Sequence, residues 1–166
     1  MLEHLLYKEA AWRKELFRQA KCSNISQYNT KVADSAQLPA VVVVFDEWAD
    51  MMGEAVREEV AARLFALVLK YASTAGYLGF YLVICTQRPS VDLLPGSIRS
   101  LMNVRVAFKA NDGKSSTTIL DQPGAEGLLM RGDMLFLEEN VVTRAQGYWQ
   151  GRDALEAFLD KIKESR

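Results

Sequence analysis

With 166 residues, 49% of them hydrophobic, the chain has enough apolar material for one domain with a real core. A formal net charge of −1 excludes a protein that coats nucleic acid through its overall field, so any DNA contact has to be local. No apolar run approaches the roughly 20 residues that span a bilayer, and Met1-Leu2-Glu3-His4 lacks the charged-then-apolar plan of a signal peptide, which makes the cytoplasm the expected compartment.

Residues 2–20 carry Leu2, Leu5, Leu6, Trp12, Leu16 and Phe17 between charges, the pattern of an amphipathic helix. Cys22 follows, isolated from Cys85 and without metal-ligand spacing. Asn24 to Ala36 reads as polar connection. Leu38-Pro39-Ala40 leads into a strand over about 40–45, and its four consecutive valines, Val41 to Val44, predict burial on both faces. Helix resumes near Asp50. The clearest helical periodicity runs from Glu54 to Thr74, with Val56, Val60, Leu64, Leu67 and Tyr71 on one stripe, widened by Ala61, Phe65, Val68 and Ala72. Gly76 ends it, and Gly79 introduces a second apolar strand, Phe80 to Cys85, in which Cys85 is expected as a small buried filler.

Pro95 suits the first turn of a short helix, Gly96 to Leu101. Val104 to Phe108 reads as a third strand, Ser115 to Asp121 as a helix, and Gly124 to Leu129 as a further short helix. Met134–Leu137 and Val141–Trp149 predict a hairpin around Glu138-Glu139-Asn140, and Asp153 to Lys163 a closing helix. Alternation of helices with apolar strands argues for an α/β fold built on a parallel sheet.

The chemistry concentrates at two strand ends. Asp46 and Glu47 terminate the valine strand, where buried carboxylates would be costly unless a cation or a reacting group meets them. In nucleotide-hydrolysing folds this is the Walker B arrangement: the first acid holds Mg²⁺, usually through water, and the second activates the attacking water. A solvated acidic turn is the alternative. Thr86-Gln87-Arg88-Pro89-Ser90 ends the second strand, and ligands in open α/β sheets gather beyond the carboxyl ends of strands. Asp46, Glu47 and Gln87 then share one edge, provided the two strands are neighbours. An amide such as Gln87 both donates to phosphate oxygen and accepts from water. An ordinary polar turn is the alternative there too.

The blocks Leu38-Pro39, Asp46-Glu47-Trp48-Ala49-Asp50-Met51-Met52, Thr86-Gln87-Arg88-Pro89-Ser90-Val91-Asp92, Arg105-Val106-Ala107-Phe108, Ile119-Leu120-Asp121-Gln122 and Gly132-Asp133-Met134-Leu135 stand in an order and spacing that resembles the motor domain of FtsK/SpoIIIE-type DNA translocases. The resemblance covers nearly the whole chain. It implies the latter part of a RecA-like P-loop ATPase core, a parallel sheet flanked by helices with a C-terminal β-hairpin. It also implies ATP and Mg²⁺ as cofactors and a ring, usually a hexamer, around double-stranded DNA. A single domain is expected, with 1–36 as helix and connection, 37–150 running from Walker B to the hairpin, and 151–166 as the last helix. Transferred residue by residue, Asp46 takes Mg²⁺ through water, Glu47 activates water, Gln87 senses the terminal phosphate, and Arg88 touches phosphate or a neighbouring subunit. Any membrane tethering is expected from upstream segments rather than from these residues.

Departures from the family pattern matter equally. The phosphate-binding loop, G-x-x-x-x-G-K-[ST], should precede Walker B, yet residues 1–52 contain no glycine. Gly113-Lys114-Ser115 mimics its end, but Phe108 occupies the place of the first glycine. Relatives usually have an arginine before Thr-Ile-Leu-Asp, where this chain has Thr117. Trp48 is expected in the core, and Asp50 either supports the acidic site or caps a helix. Arg99, Arg105, Lys109 and Lys114 make 99–114 locally basic, so Arg105, Lys109 and Lys114 are candidate contacts to DNA phosphates, with a solvated face as the alternative. Three functional expectations follow: part of a DNA translocase, part of a related protein-secretion ATPase of the type VII kind, or an inactive assembly module, since this chain alone lacks Walker A.

Overall fold

The computed structural model describes residues 5–53, 58–72, 76–148 and 150–164, which form two compact units, 1–102 and 103–166. In the first unit a π-helical turn, Leu5–Glu9, runs into α1 (Ala10–Ala20). The buried face of α1 differs from the apolar pattern. Phe17 is buried, but Trp12 is 49% exposed and Arg13 only 1% exposed. Arg13 can be buried because its hydrogen-bonding groups find partners. Its Nε donates to Glu9 Oε1 at 2.9 Å and its Nη1 to the Leu78 carbonyl at 2.8 Å, while the guanidinium carbon lies 4.8 Å from the centre of the Phe80 ring.

The stretch expected as connection holds a helix, α2 (Ile25–Lys31), and a 3₁₀ turn, Asp34–Ala36. Asn24 starts α2 by accepting from the Gln27 N–H at 2.9 Å, and Tyr28 buries its ring against Phe17. One buried tyrosine and a cap suffice, so composition hides the helix. Asn29 then holds Leu38 from both sides, donating to its carbonyl and accepting from its N–H, each at 2.9 Å.

Leu38 leads into β1 (Val41–Phe45), which pairs in parallel with β2 (Phe80–Ile84) from Val41↔Phe80 to Phe45↔Ile84. Between them lie α3 (Trp48–Met52), α4 (Glu58–Ala72) and a 3₁₀ turn, Gly76–Leu78. Residues 54–57 and 73–75 of the expected long helix, Val56 among them, lie outside the described residues. Leu67, Val68 and Tyr71 of α4 are buried, whereas Val60 is exposed. One face of the strand pair joins two apolar clusters, one around Phe17, Tyr28, Leu67 and Phe80, the other around Phe45, Trp48, Val68 and Ile98.

The other face is open. Val42 and Val44 are 58% and 59% exposed, with Tyr81, Val83 and Cys85 exposed beside them. The valine strand is therefore buried on one side rather than two, and Cys85 is not a core filler. The helices of this unit pack on a single face of the two strands, and side chains alternate across a strand. α5 (Gly96–Arg99) follows Pro95, two residues shorter than expected.

In the second unit β3 (Val104–Phe108), β4 (Asp133–Glu138) and β5 (Val141–Gln146) form an antiparallel sheet in that order. Among the described residues the third strand thus pairs antiparallel with the hairpin, Val104↔Glu138 to Phe108↔Met134. The hairpin turns at Glu139 and Asn140, both at positive φ (49° and 64°), the twist that suits a two-residue connection. Ala107, Leu120, Ala125, Leu128 and Leu137 form the core beneath α6 (Gly113–Leu120) and a 3₁₀ turn, Ala125–Gly127. α7 (Arg152–Glu164) ends the described chain.

Candidate functional site

Parallel pairing brings Asp46-Glu47 and Thr86-Gln87 to the same edge of β1 and β2. The ladder continues past the strands: the Cys85 N–H donates to the Phe45 carbonyl and the Trp48 N–H to the Cys85 carbonyl, both at 2.8 Å. Trp48 is fully buried and its Nε1 donates to the Leu93 carbonyl at 2.8 Å, so it anchors the turn after β1 against the loop after β2.

Glu47 is the N-cap of α3, in extended backbone, which places Asp50 inside the helix rather than at its cap. Three donors meet the Glu47 carboxylate. Its Oε1 accepts from Thr86 Oγ1 at 2.6 Å and from the Ala49 N–H at 3.1 Å, and its Oε2 accepts from the Gln87 N–H at 2.8 Å. The Thr86 hydroxyl first, then the Gln87 N–H, hold its pKa below the usual glutamate value, with a smaller contribution from the charge of Arg88. Asp46 differs: its carboxylate is exposed and meets no partner among the described residues. Gln87 and Arg88 are exposed, and the Arg88 N–H donates to Thr86 Oγ1 at 3.2 Å.

This donor set fits one side of a metal–nucleotide site. Among the described residues no three His, Cys, Asp or Glu side chains gather as a cation cage. One free carboxylate beside a held one suits Mg²⁺, which keeps waters and takes one or two carboxylates together with phosphate oxygens. The phosphate side is not supplied by Gly113-Lys114-Ser115. Those residues begin α6, and Asp112 already occupies its N-terminus by accepting from the Ser115 N–H at 2.7 Å. The Glu126 carboxylate also lies 3.5 Å from where a Cβ on Gly113 would stand. Two carboxylates at a helix start oppose an anion there.

Of the basic candidates, Arg105 is largely buried and turned inward, its Nη1 donating to the Ile119 carbonyl at 2.9 Å and pairing with Asp121 at 2.7 Å. Lys109 and Lys114 are exposed. The Thr117 hydroxyl, standing where relatives carry arginine, donates to the Gly113 carbonyl at 2.8 Å. Sequence reasoning assigned no role to Thr86. Its only signal was its place directly before Gln87 at the end of a strand parallel to β1.

An acidic strand end facing a Thr-Gln turn across a parallel pair, within an α/β fold, places the chain among RecA-like P-loop ATPase folds. It matches the conjugation coupling protein TcpA of pCW3, solved with ATPγS, with a TM-score of 0.86 and 26% identity, covering 99% of this chain and 48% of that one. It matches EssC (ATPases 2 and 3) of Geobacillus thermodenitrificans with a TM-score of 0.75 and 19% identity, over 98% of this chain and 30% of that one, a likeness of fold alone.

The model of the FtsK/SpoIIIE family matches residues 1–91. The DNA translocase FtsK of Streptococcus pyogenes serotype M3 is 41% identical over 162 residues, covering 92% of this chain and 20% of the relative. That of Lactococcus lactis subsp. cremoris is 40% identical, covering 92% and 21%. The chain belongs to the FtsK/SpoIIIE family, and it spans about a fifth of the length of these relatives.

Proposed function

We propose that this chain is the Walker B portion of a motor that hydrolyses ATP to move double-stranded DNA, acting in the cytoplasm as a ring, usually of six. The observation that carries the reading is the contrast at one strand end, where Asp46 meets no partner among the described residues and Glu47 is held by three donors, one of them the Gln87 N–H. Bound Mg-ATP supplies the phosphoryl group to be cleaved and the charge that stabilises its transfer. Asp46 would hold the hydrated Mg²⁺. Glu47 would take the proton of the attacking water, and Gln87 would report the terminal phosphate. Arg88, exposed next to Gln87, would reach phosphate or an adjoining subunit. Lys109 and Lys114 would touch DNA phosphates, while Arg105 is committed to Asp121.

A phosphate-binding loop has to come from residues other than these 166, so this chain alone is expected not to hydrolyse ATP. The 40–41% identical relatives are named DNA translocases, which favours DNA over protein as the transported polymer. Hydrolysis by the motor that includes the phosphate loop, assayed with and without double-stranded DNA, tests the reading. Stimulation by DNA that disappears in Glu47→Gln is expected; hydrolysis indifferent to DNA would overturn it.

A further inference from the structure

We propose that Thr86 is the positioning residue for Glu47: its hydroxyl fixes the carboxylate in one orientation and couples it to the turn that carries Gln87. This rests on the reading of Glu47 as the residue that activates water. The hydroxyl has a defined direction, because it accepts from the Arg88 N–H at 3.2 Å and its own proton goes to Glu47 Oε1 at 2.6 Å. A carboxylate offers about four acceptor sites. Thr86 and the Ala49 N–H occupy both on Oε1, and the Gln87 N–H takes one on Oε2. The site left for a water proton is therefore on Oε2, the oxygen that also contacts Gln87.

Removing the Thr86 bond frees the side chain to rotate about the Ala49 and Gln87 contacts, and the remaining site loses its direction. Motion of the Gln87 peptide, as its side chain responds to phosphate, would pass to Glu47 through the same contacts. Valine has the shape of threonine without the hydroxyl, and serine keeps the hydroxyl without the methyl. The two variants therefore separate bonding from packing.

The first experiment uses this chain alone and follows the amide proton resonances of Ala49 and Gln87 by NMR. Thr86→Val should move both toward their positions in Glu47→Ala, and Thr86→Ser should leave them near wild type. In the motor that includes the phosphate loop, Thr86→Val should lower kcat about ten- to hundredfold with KM unchanged, as expected for a lost hydrogen bond to a charged group, and Thr86→Ser should restore most of it. Wild-type resonances in Thr86→Val, or a serine variant that falls as far as valine, would overturn the proposal. If Glu47→Gln itself leaves hydrolysis intact, the role of Glu47 fails instead, and the amide resonances still decide whether Thr86 holds it.

Discussion

The backbone N–H of Gln87 donates to Glu47 Oε2 at 2.8 Å, joining the turn after β2 to the carboxylate after β1. That bond is possible only because the strands are parallel and in register to their last pair, Phe45↔Ile84. Glutamine at position 47 keeps one acceptor oxygen, enough for the Gln87 N–H on Oε2 or for the cap of α3 on Oε1 but not for both, and it cannot take a proton from water. Glu47→Gln should therefore keep ATPγS affinity in the complete motor while hydrolysis falls by about two to four orders of magnitude. Glu47→Ala should additionally lower the melting temperature by a few degrees, since α3 loses its cap. Parallel nucleotide-binding, hydrolysis and melting measurements check all three.

The strand pair that carries this site was legible because Val41 to Phe45 and Phe80 to Ile84 are unbroken apolar runs ending in polar groups. What sequence periodicity misses is what a partner supplies. Arg13 is buried in place of Trp12 because Glu9 and the Leu78 carbonyl satisfy it, and no local pattern records a carbonyl 65 residues away. β3 reads as one more strand of a parallel sheet, but its direction relative to a neighbour is set by β4, which follows a helix and a 3₁₀ turn. The valines promised burial on two faces, yet a run of identical residues carries no information about which face the helices cover. Thr86 was equally opaque, since a hydroxyl beside Gln87 gains meaning only once Glu47 is seen opposite.

Lys114 distinguishes the decoy phosphate loop from a DNA contact. Asp112 already accepts from the N–H at the start of α6, so nucleotide phosphate finds no free helix terminus there. Lys114→Ala should leave ATPγS affinity of the motor unchanged by calorimetry. Its DNA affinity should fall, with the salt dependence of log K reduced by roughly one unit, as for loss of one phosphate contact. A large loss of nucleotide affinity would instead assign phosphate binding to this loop.

Cys85 follows Val83 on the open face of the strand pair and is exposed, whereas Cys22 is half-buried and its thiol donates to the Ala20 carbonyl at 3.4 Å. An aromatic disulfide reagent should therefore modify this chain in two phases. The faster should be at least roughly tenfold quicker and absent in Cys85→Ser. A single slow phase would mean that this face is covered in solution.

Arg13 and Trp12 should reverse the usual ranking of the two residue types. Arg13→Met keeps an apolar stem beneath Phe80 but leaves the Leu78 carbonyl and Glu9 without their donor. It should cost about 3 kcal/mol in urea unfolding, the scale for removing one partner of a buried pair. Trp12→Ala, at a half-exposed position, should cost less than about 1 kcal/mol.

Asp133 gives the second unit a signature in acid. It is buried at the start of β4, where Arg144 Nε and Nη2 reach its two oxygens at 2.9 and 2.6 Å and the Leu129 N–H donates to one of them at 2.6 Å. The Arg144 bonds first, and the Leu129 N–H next, hold its pKa down to about 2 from the ordinary 3.8. A carboxyl with a lowered folded pKa takes up its proton more readily in the unfolded chain, so falling pH favours unfolding. The stabilisation is complete above the ordinary value of 3.8 and is lost as pH falls toward about 2. Asp133→Asn should melt several degrees below wild type near neutral pH, and the two melting curves should converge across that window. Arg144 is 58% exposed, so salt should narrow the neutral-pH gap by screening the pair. Arg144→Ala should melt between wild type and Asp133→Asn, because the Leu129 bond remains. A constant gap from pH 6 to pH 2 would instead assign the role of Asp133 to its shape rather than its charge.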